Sequence, residues 1–224
     1  MGKYDPKITP LLAPSENYGM FLRAWLEVKL SSYAKRYFER AFGGDESAAF
    51  GICVAAPNEW RGLIALAAYH SGVPNPGYRT IIRAVWNHDH AHLIKAAEHD
   101  RRLIRRMIKA AEFDHPFSGP LTIFRGASGI TARTAAKGLS WTISRETACF
   151  FACRFRAPLE PIVLKTEIDA SDIILWDDSR NEKEVILRRD IPAQVDPEPE
   201  TWAEIANTVV ERIKARGEGT NGGV

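Results

Sequence analysis

The sequence predicts an α+β protein of 224 residues, helical in its first half and sheet-forming in its second. Three observations lead there. Apolar residues recur at helical spacing from Asn17 to Phe113. At Asp114-His115-Pro116-Phe117-Ser118-Gly119-Pro120 the pattern changes from helical spacing to alternation, with two prolines and a glycine breaking the chain. Beyond a proline-rich linker at 192–199, helical spacing returns. The expected domains are a helical region over 1–115 and a second region over 116–224.

In the first region, residues up to Glu16 are proline-rich and read as irregular. Asn17 to Phe42 reads as one helix. Phe21, Trp25 and Val28 form its stripe, and Leu22, Leu26 and Leu30 widen it; Gly43-Gly44 ends it. Ser47 to Ala56 is apolar and of undecided type. Pro57 opens a helix running to His70, and the proline- and glycine-rich run 71–77 is a loop. Tyr78 to Phe113 is one long helix or two in tandem. Its buried stripe is Ile82, Trp86, Leu93, Ala97, Ile104, Met107, Ile108 and Ala111.

Two features of that long stretch carry chemistry. His88, His92 and His99 fall on one flank at spacings near four and seven, a pattern that can hold a metal. No carboxylate completes it, so the better reading is a solvated flank, with Asp89 and His90 as a buried hydrogen-bonded pair and no metal. Arg101, Arg102, Arg105, Arg106 and Lys109 gather opposite Leu103, Ile104, Met107 and Ile108. Such a face is ordinarily solvated, and it also suits nucleic-acid phosphates or an acidic protein.

In the second region, Leu121-Thr122-Ile123-Phe124 is β-branched and aromatic, and Arg125-Gly126 ends it. Gly138 to Ile143 is a short strand with Ser140 and Thr142 on one face and Trp141 turned to the core. Ser144 caps the next helix, whose first turn carries Glu146. Pro158 and Pro161 bracket a turn. Ile162–Ile168 and Ile173–Trp176 are strands, and Asp177 to Asn181 is a polar loop. From Glu182 to Leu187, alternation puts Glu182, Glu184 and Ile186 on one face, with the two carboxylates about 7 Å apart. Thr201 to Glu204 has capping-box spacing before a last helix carrying Trp202, Ile205, Ala206, Val209, Val210 and Ile213. Gly217 to Val224 reads as a tail.

Composition bounds the rest. Net charge is +2, which selects neither nucleic acid nor membrane. Three scattered cysteines, Cys53, Cys149 and Cys153, point to a reduced compartment and not to a disulfide framework. The first residues show no secretory or myristoylation pattern, and no apolar run is long enough to span a bilayer. A cytoplasmic protein without a membrane partner is expected.

Singly, Phe124-Arg125-Gly126, Ser140-Trp141-Thr142 and Glu182-Lys183-Glu184 are ordinary strand ends. In this order, they resemble the mono-ADP-ribosyltransferase family, in its Arg-Ser-Glu branch of E-x-E type, over about Leu121 to Leu187. The resemblance implies a split β-sandwich followed by a C-terminal helix. It also implies NAD+ as substrate, cleaved at the nicotinamide–ribose bond, in an enzyme of bacterial or phage origin with the character of a toxin. It makes Glu184 the catalytic glutamate on the ribose 2′-hydroxyl, Glu182 the acid that directs transfer to protein arginine, and Arg125 the cation on the NAD+ phosphates and ribose. Ser140 orients the glutamate and ribose, Thr142 takes the second hydroxyl position, and Gly126 lets the backbone approach the nicotinamide amide. One of Phe150 and Phe151 stacks on nicotinamide while the other joins the core. Trp141 is bulkier than the threonine usual between the hydroxyls. The alternatives are transfer to DNA or RNA, guided by the basic face at Arg101 to Lys109, and a module that binds a nucleotide or partner without turnover.

Overall fold

A computed structural model describes residues 18–154 and 159–218. The amino terminus expected to be irregular, the Pro158 end of the expected turn and residues 219–224 of the expected tail lie outside the described residues, whereas Gly217 and Glu218 of that tail belong to the last helix. The chain divides into two compact units, one ending at Glu112 and the other beginning at Phe113.

The first unit is helical: α1 (Tyr18–Lys29), α2 (Ser32–Phe42), α3 (Glu46–Ala55), α4 (Asn58–His70), α5 (Gly77–Ala96) and α6 (Arg101–Ala110). The single helix expected over 17–42 is two. Ser31 is extended (ψ 155°) and its hydroxyl accepts the Ala34 amide, so the serine starts α2 instead of continuing α1. On α1 the leucine row takes the core. Leu22, Leu26 and Leu30 are buried, whereas Phe21 and Val28 are 52% and 73% exposed. The expected Phe21–Val28 stripe therefore faces outward, and Trp25 is half-buried beside Trp60, with ring centroids 5.4 Å apart. The undecided segment 47–56 is α3, capped by Asp45.

The long helical stretch is also two elements. Glu98 and His99 adopt positive φ (51° and 61°), and the Asp100 carboxylate then caps α6 through the Arg102 and Leu103 amides. His99 thus stands beyond the end of α5, and the three histidines do not share one helix flank. Within α5 the backbone leaves helical geometry at Asp89 (φ −140°, ψ 28°). Asp89 is buried as expected, but its carboxylate takes Arg61 Nη1 at 2.7 Å; His90 is exposed and lies against Trp86. Arginine's fork suits a buried carboxylate better than an imidazole one residue away does. Among the described residues no group of three or more His, Cys, Asp or Glu could hold a metal, and no helix is long and apolar enough to cross a membrane.

The second unit contains β1 (Pro120–Ser128), α7 (Ala132–Ala135), β2 (Ser140–Thr142), α8 (Arg145–Cys153), β3 (Pro161–Asp169), β4 (Ile173–Asp177), β5 (Glu184–Leu187), β6 (Gln194–Val195) and α9 (Trp202–Glu218). The strands form one antiparallel sheet in the order β4-β5-β2-β1-β3-β6. Together with the helical unit this makes the chain α+β. One sheet face buries Ile123, Trp141, Leu164, Val185 and Leu187 with Ala135 of α7. The other buries Val163 and half-buried Phe124 under α8 and α9, through Ala148, Cys149, Ala152 and Trp202. Ser144 caps α8 as expected, by accepting the Thr147 amide. At Gly126 a Cβ would stand 1.8 Å from the Ala148 carbonyl oxygen, so only glycine lets α8 lie this close to β1.

Asp196 ties α8 to α9. It accepts Arg145 Nη2 at 2.6 Å, Arg145 Nε at 3.1 Å and the Trp202 indole N–H at 2.8 Å. Burial pushes this carboxyl up, but the bonds from Arg145 and Trp202 together hold it below the ordinary aspartate value. A depressed carboxyl stabilises the fold above its ordinary pKa and loses that contribution as pH falls through the folded one. Asp196→Ala strands a guanidinium and an indole N–H, and is expected to cost about 2–4 kcal/mol in urea denaturation at neutral pH. Asp196→Asn is expected to remove part of the acid sensitivity; an unchanged slope of stability against pH below neutrality would contradict the linkage.

Candidate active site

The residues singled out on β1, β2 and β5 meet through the sheet register. Thr142 pairs with Phe124 on one side and with Glu184 on the other, and Glu184 pairs in turn with Asp177. Opposed residues in a sheet share a face, so Phe124, Thr142, Glu184 and Asp177 form one row on the α8 side. Ser140, two residues before Thr142, belongs to that face as well. Glu184 is 5% exposed and Thr142 6%, so a carboxylate and a hydroxyl sit in a largely dry row.

The loop from Asp178 to Lys183 carries the second acid. Asn181 and Lys183 both have positive φ (57° and 50°), flanking Glu182. The Asn181 amide bonds the Asp178 carbonyl and the Lys183 amide bonds Asp178 Oδ1, while Ser179 bonds Asp177 Oδ2 through amide and hydroxyl. β2 fixes the far end. Thr142 Oγ1 donates to the Glu182 carbonyl at 2.7 Å and accepts the Ser144 amide at 3.0 Å, and the Ile143 amide donates to the Lys183 carbonyl. Thr142 thus joins the S-x-T strand, the start of α8 and the acid loop. Glu182 lies just before β5, not within it.

Both acids hold one cation that sequence reasoning left in a polar loop. Arg180 Nη2 lies 2.8 Å from Glu182 and 3.1 Å from Glu184. Spacing was the available signal, since Arg180 precedes the two glutamates by two and four residues in a run of turn formers. Glu182 is pushed up from the ordinary glutamate value, first by burial and then by the charge of Glu184, with Arg180 and Arg154 pulling the other way. Arg154, at the end of α8, lies 4.6 Å from the Phe151 ring centroid. Phe150 and Phe151 are both half-buried and meet edge-on, centroids 5.5 Å apart.

Arg125 stands differently. Alternation sends it away from Phe124, to the face of Leu164, its partner on β3, and Trp141. β1 and β2 are joined by the single pair Phe124 and Thr142, and the guanidinium donates to the main-chain carbonyl of Ser140. It packs against Gly138, where a Cβ would stand 1.9 Å from its central carbon. Burial lowers the pKa of this guanidinium, and the Glu184 charge opposes that shift. Its Nε is buried without a hydrogen-bond partner among the described residues. The structure therefore brings Thr142, Glu182 and Glu184 together directly. Arg125 joins them through the β2 backbone and the field of Glu184. Gly126 serves helix packing, its Cβ position filled by the Ala148 carbonyl.

Comparison of the chain with protein-family models, with curated proteins and with solved structures gave no match.

The acid cluster makes a directional prediction. Carbon-detected NMR titration should place the Glu182 midpoint above that of an ordinary glutamate. Glu184→Gln should bring it down and Arg180→Gln should raise it further. Because the folded value lies above the unfolded one, the charged carboxyl opposes folding as pH rises, so Glu182→Gln should leave stability at neutral pH unchanged or higher. A Glu182 midpoint at or below the ordinary value would overturn this electrostatic picture.

Proposed function

We propose that the chain is a mono-ADP-ribosyltransferase, with the second unit as its catalytic core and NAD+ as its substrate. The observation that carries the reading is the row in which Thr142 of the S-x-T strand stands opposite Glu184, with Glu182 beside it. The family's split β-sandwich is part of the same proposal.

The chemistry asks for this equipment. Nicotinamide leaves with the electrons of its bond to ribose, and positive charge spreads over the sugar. A carboxylate held in place and largely out of water stabilises that charge better than bulk water does, because it needs no reorganisation. Glu184 is that group, and hydrogen-bonds the ribose 2′-hydroxyl. Arg125 is the cation for the phosphates in this reading, and to meet them its buried guanidinium must turn from the Trp141 face toward Glu184. Ser140 and Thr142 set the position of acid and sugar. An acceptor nitrogen then bonds to the ribose carbon and gives its proton to a carboxylate. Glu182, whose raised pKa suits it to accept a proton, performs this for an arginine guanidinium of a protein acceptor.

A second reading changes the acceptor alone. On α6, Arg102, Arg106 and Lys109 are exposed and Arg101 and Arg105 half-buried, a face able to hold the backbone of DNA or RNA. Digesting labelled reaction products with protease or with nuclease separates the two acceptors.

Nicotinamide release from NAD+ is expected from the wild type. Glu184→Ala should reduce it about a hundredfold or more, and Arg125→Ala should raise KM for NAD+. Equal release by all three proteins would reject the enzyme and leave a binding module.

A further inference from the structure

The acid pair is already occupied by a group of the chain itself. Arg180 Nη2 is shared between Glu182 and Glu184 at 2.8 and 3.1 Å, with the Arg180 side chain 33% exposed and the two acids 29% and 6%. Three features show that this contact is built. The loop between Arg180 and β5 turns through two left-handed residues, Asn181 and Lys183, neither of them glycine, and such conformations cost energy that other contacts must offset. Asp177 and Asp178 collect the Ser179 and Lys183 amides, so the loop has one shape on either side of Arg180. Thr142 anchors the Glu182 carbonyl from the neighbouring strand. Two acids this close, one of them almost wholly buried, also favour a cation beside them, and Arg180 supplies it.

We propose that Arg180 is a specificity-determining residue, an intramolecular guanidinium that holds the acid pair in the resting chain and that an incoming acceptor must displace. This rests on the reading of Glu182 and Glu184 as the transferase acids. It adds that the chain carries its own competitor and therefore selects acceptors whose cation matches or exceeds Arg180 in these contacts. A planar guanidinium meets that condition better than a strongly hydrated ammonium does. The loop thus serves as a filter: weak cations leave Arg180 in place, and a guanidinium displaces it, most readily when further contacts of its own protein hold it in position.

The apparent affinity of any ligand falls by the fraction of molecules in which its place is free. Arg180→Ala should therefore bind N-acetylarginine amide roughly three- to tenfold more tightly than the wild type. The measurement is an NMR titration above neutral pH without NAD+, read at the Glu182 to Glu184 amides. Arg180→Lys should fall between the two, N-acetyllysine amide should gain less, and adding Glu182→Gln to Arg180→Ala should abolish the gain. In turnover with N-acetylarginine amide, Arg180→Ala should lower the KM for that acceptor by about the factor by which it tightens binding. Equal or weaker binding by Arg180→Ala overturns the proposal, whether or not NAD+ is consumed. Failure of the wild type to release nicotinamide overturns the transferase reading instead, and leaves the binding comparison to judge the occupant.

Discussion

The pairing of β5 against β2 is the constraint on which the second unit depends. It has three residue pairs, Ser140 with Ile186, Trp141 with Val185 and Thr142 with Glu184. The middle pair buries an indole and a valine in the sheet core, worth about 1.5–3 kcal/mol for the valine and more for the larger ring. A slip of one residue would exchange every face, driving Glu184 into that core and Val185 out of it. Apolar burial therefore sets the register, and the register sets the acids. The polar row is costly to desolvate, and the hydrophobic row directly behind it offsets that cost.

Much of this architecture could be read from residue spacing. The change from helical spacing to alternation near Pro116, the buried row from Ile82 to Ala111, the inward Trp141 and the Ser144 cap all express local rules that act within a few residues. Where spacing misled, competition between neighbouring faces was the cause. On α1 two stripes of similar apolarity adjoin, and only packing against other helices decided that Leu22, Leu26 and Leu30 go inside while Phe21 and Val28 do not. Asp89 found Arg61, twenty-eight residues away in sequence, a partner that no local pattern announces. The undecided segment 47–56 became helix because Asp45 caps it.

The candidate site divides along the same line. The residue types and their order lie in the sequence, as does the alternation that groups Ser140 with Thr142. Which side of the sheet each strand presents does not, because it depends on register between distant strands. Hence Arg125 and Gly126, adjacent in the motif, have different surroundings: the glycine lies under α8, and the arginine turns to the opposite face and returns through the Ser140 carbonyl. The single residue pair between β1 and β2 leaves these strands free to part beyond Phe124, and it is there that the guanidinium finds its acceptor. The loop cation is hidden in the sequence for a related reason. Arg180 sits in a run of turn formers, where an arginine is normally solvated, and only the left-handed residues on either side of Glu182 fold the chain so that residues 180, 182 and 184 converge.

That convergence has an electrostatic logic that reaches from rest to reaction. Two carboxylates two residues apart, one of them almost wholly buried, repel each other and lose hydration. Positive charge lying against the pair relieves that repulsion. In the resting chain Arg180 provides that charge, with Arg154 at greater range. If the site transfers ADP-ribose, charge appears at the same place when the nicotinamide bond breaks, now on the sugar. The demand that draws Arg180 into the pair is then the demand that favours the transition state, because a site short of positive charge binds most tightly the species that carries it. Exposure separates the two. Arg180 is one-third exposed while Glu184 is almost wholly buried, so withdrawing the arginine leaves a buried carboxylate that only another positive charge can satisfy.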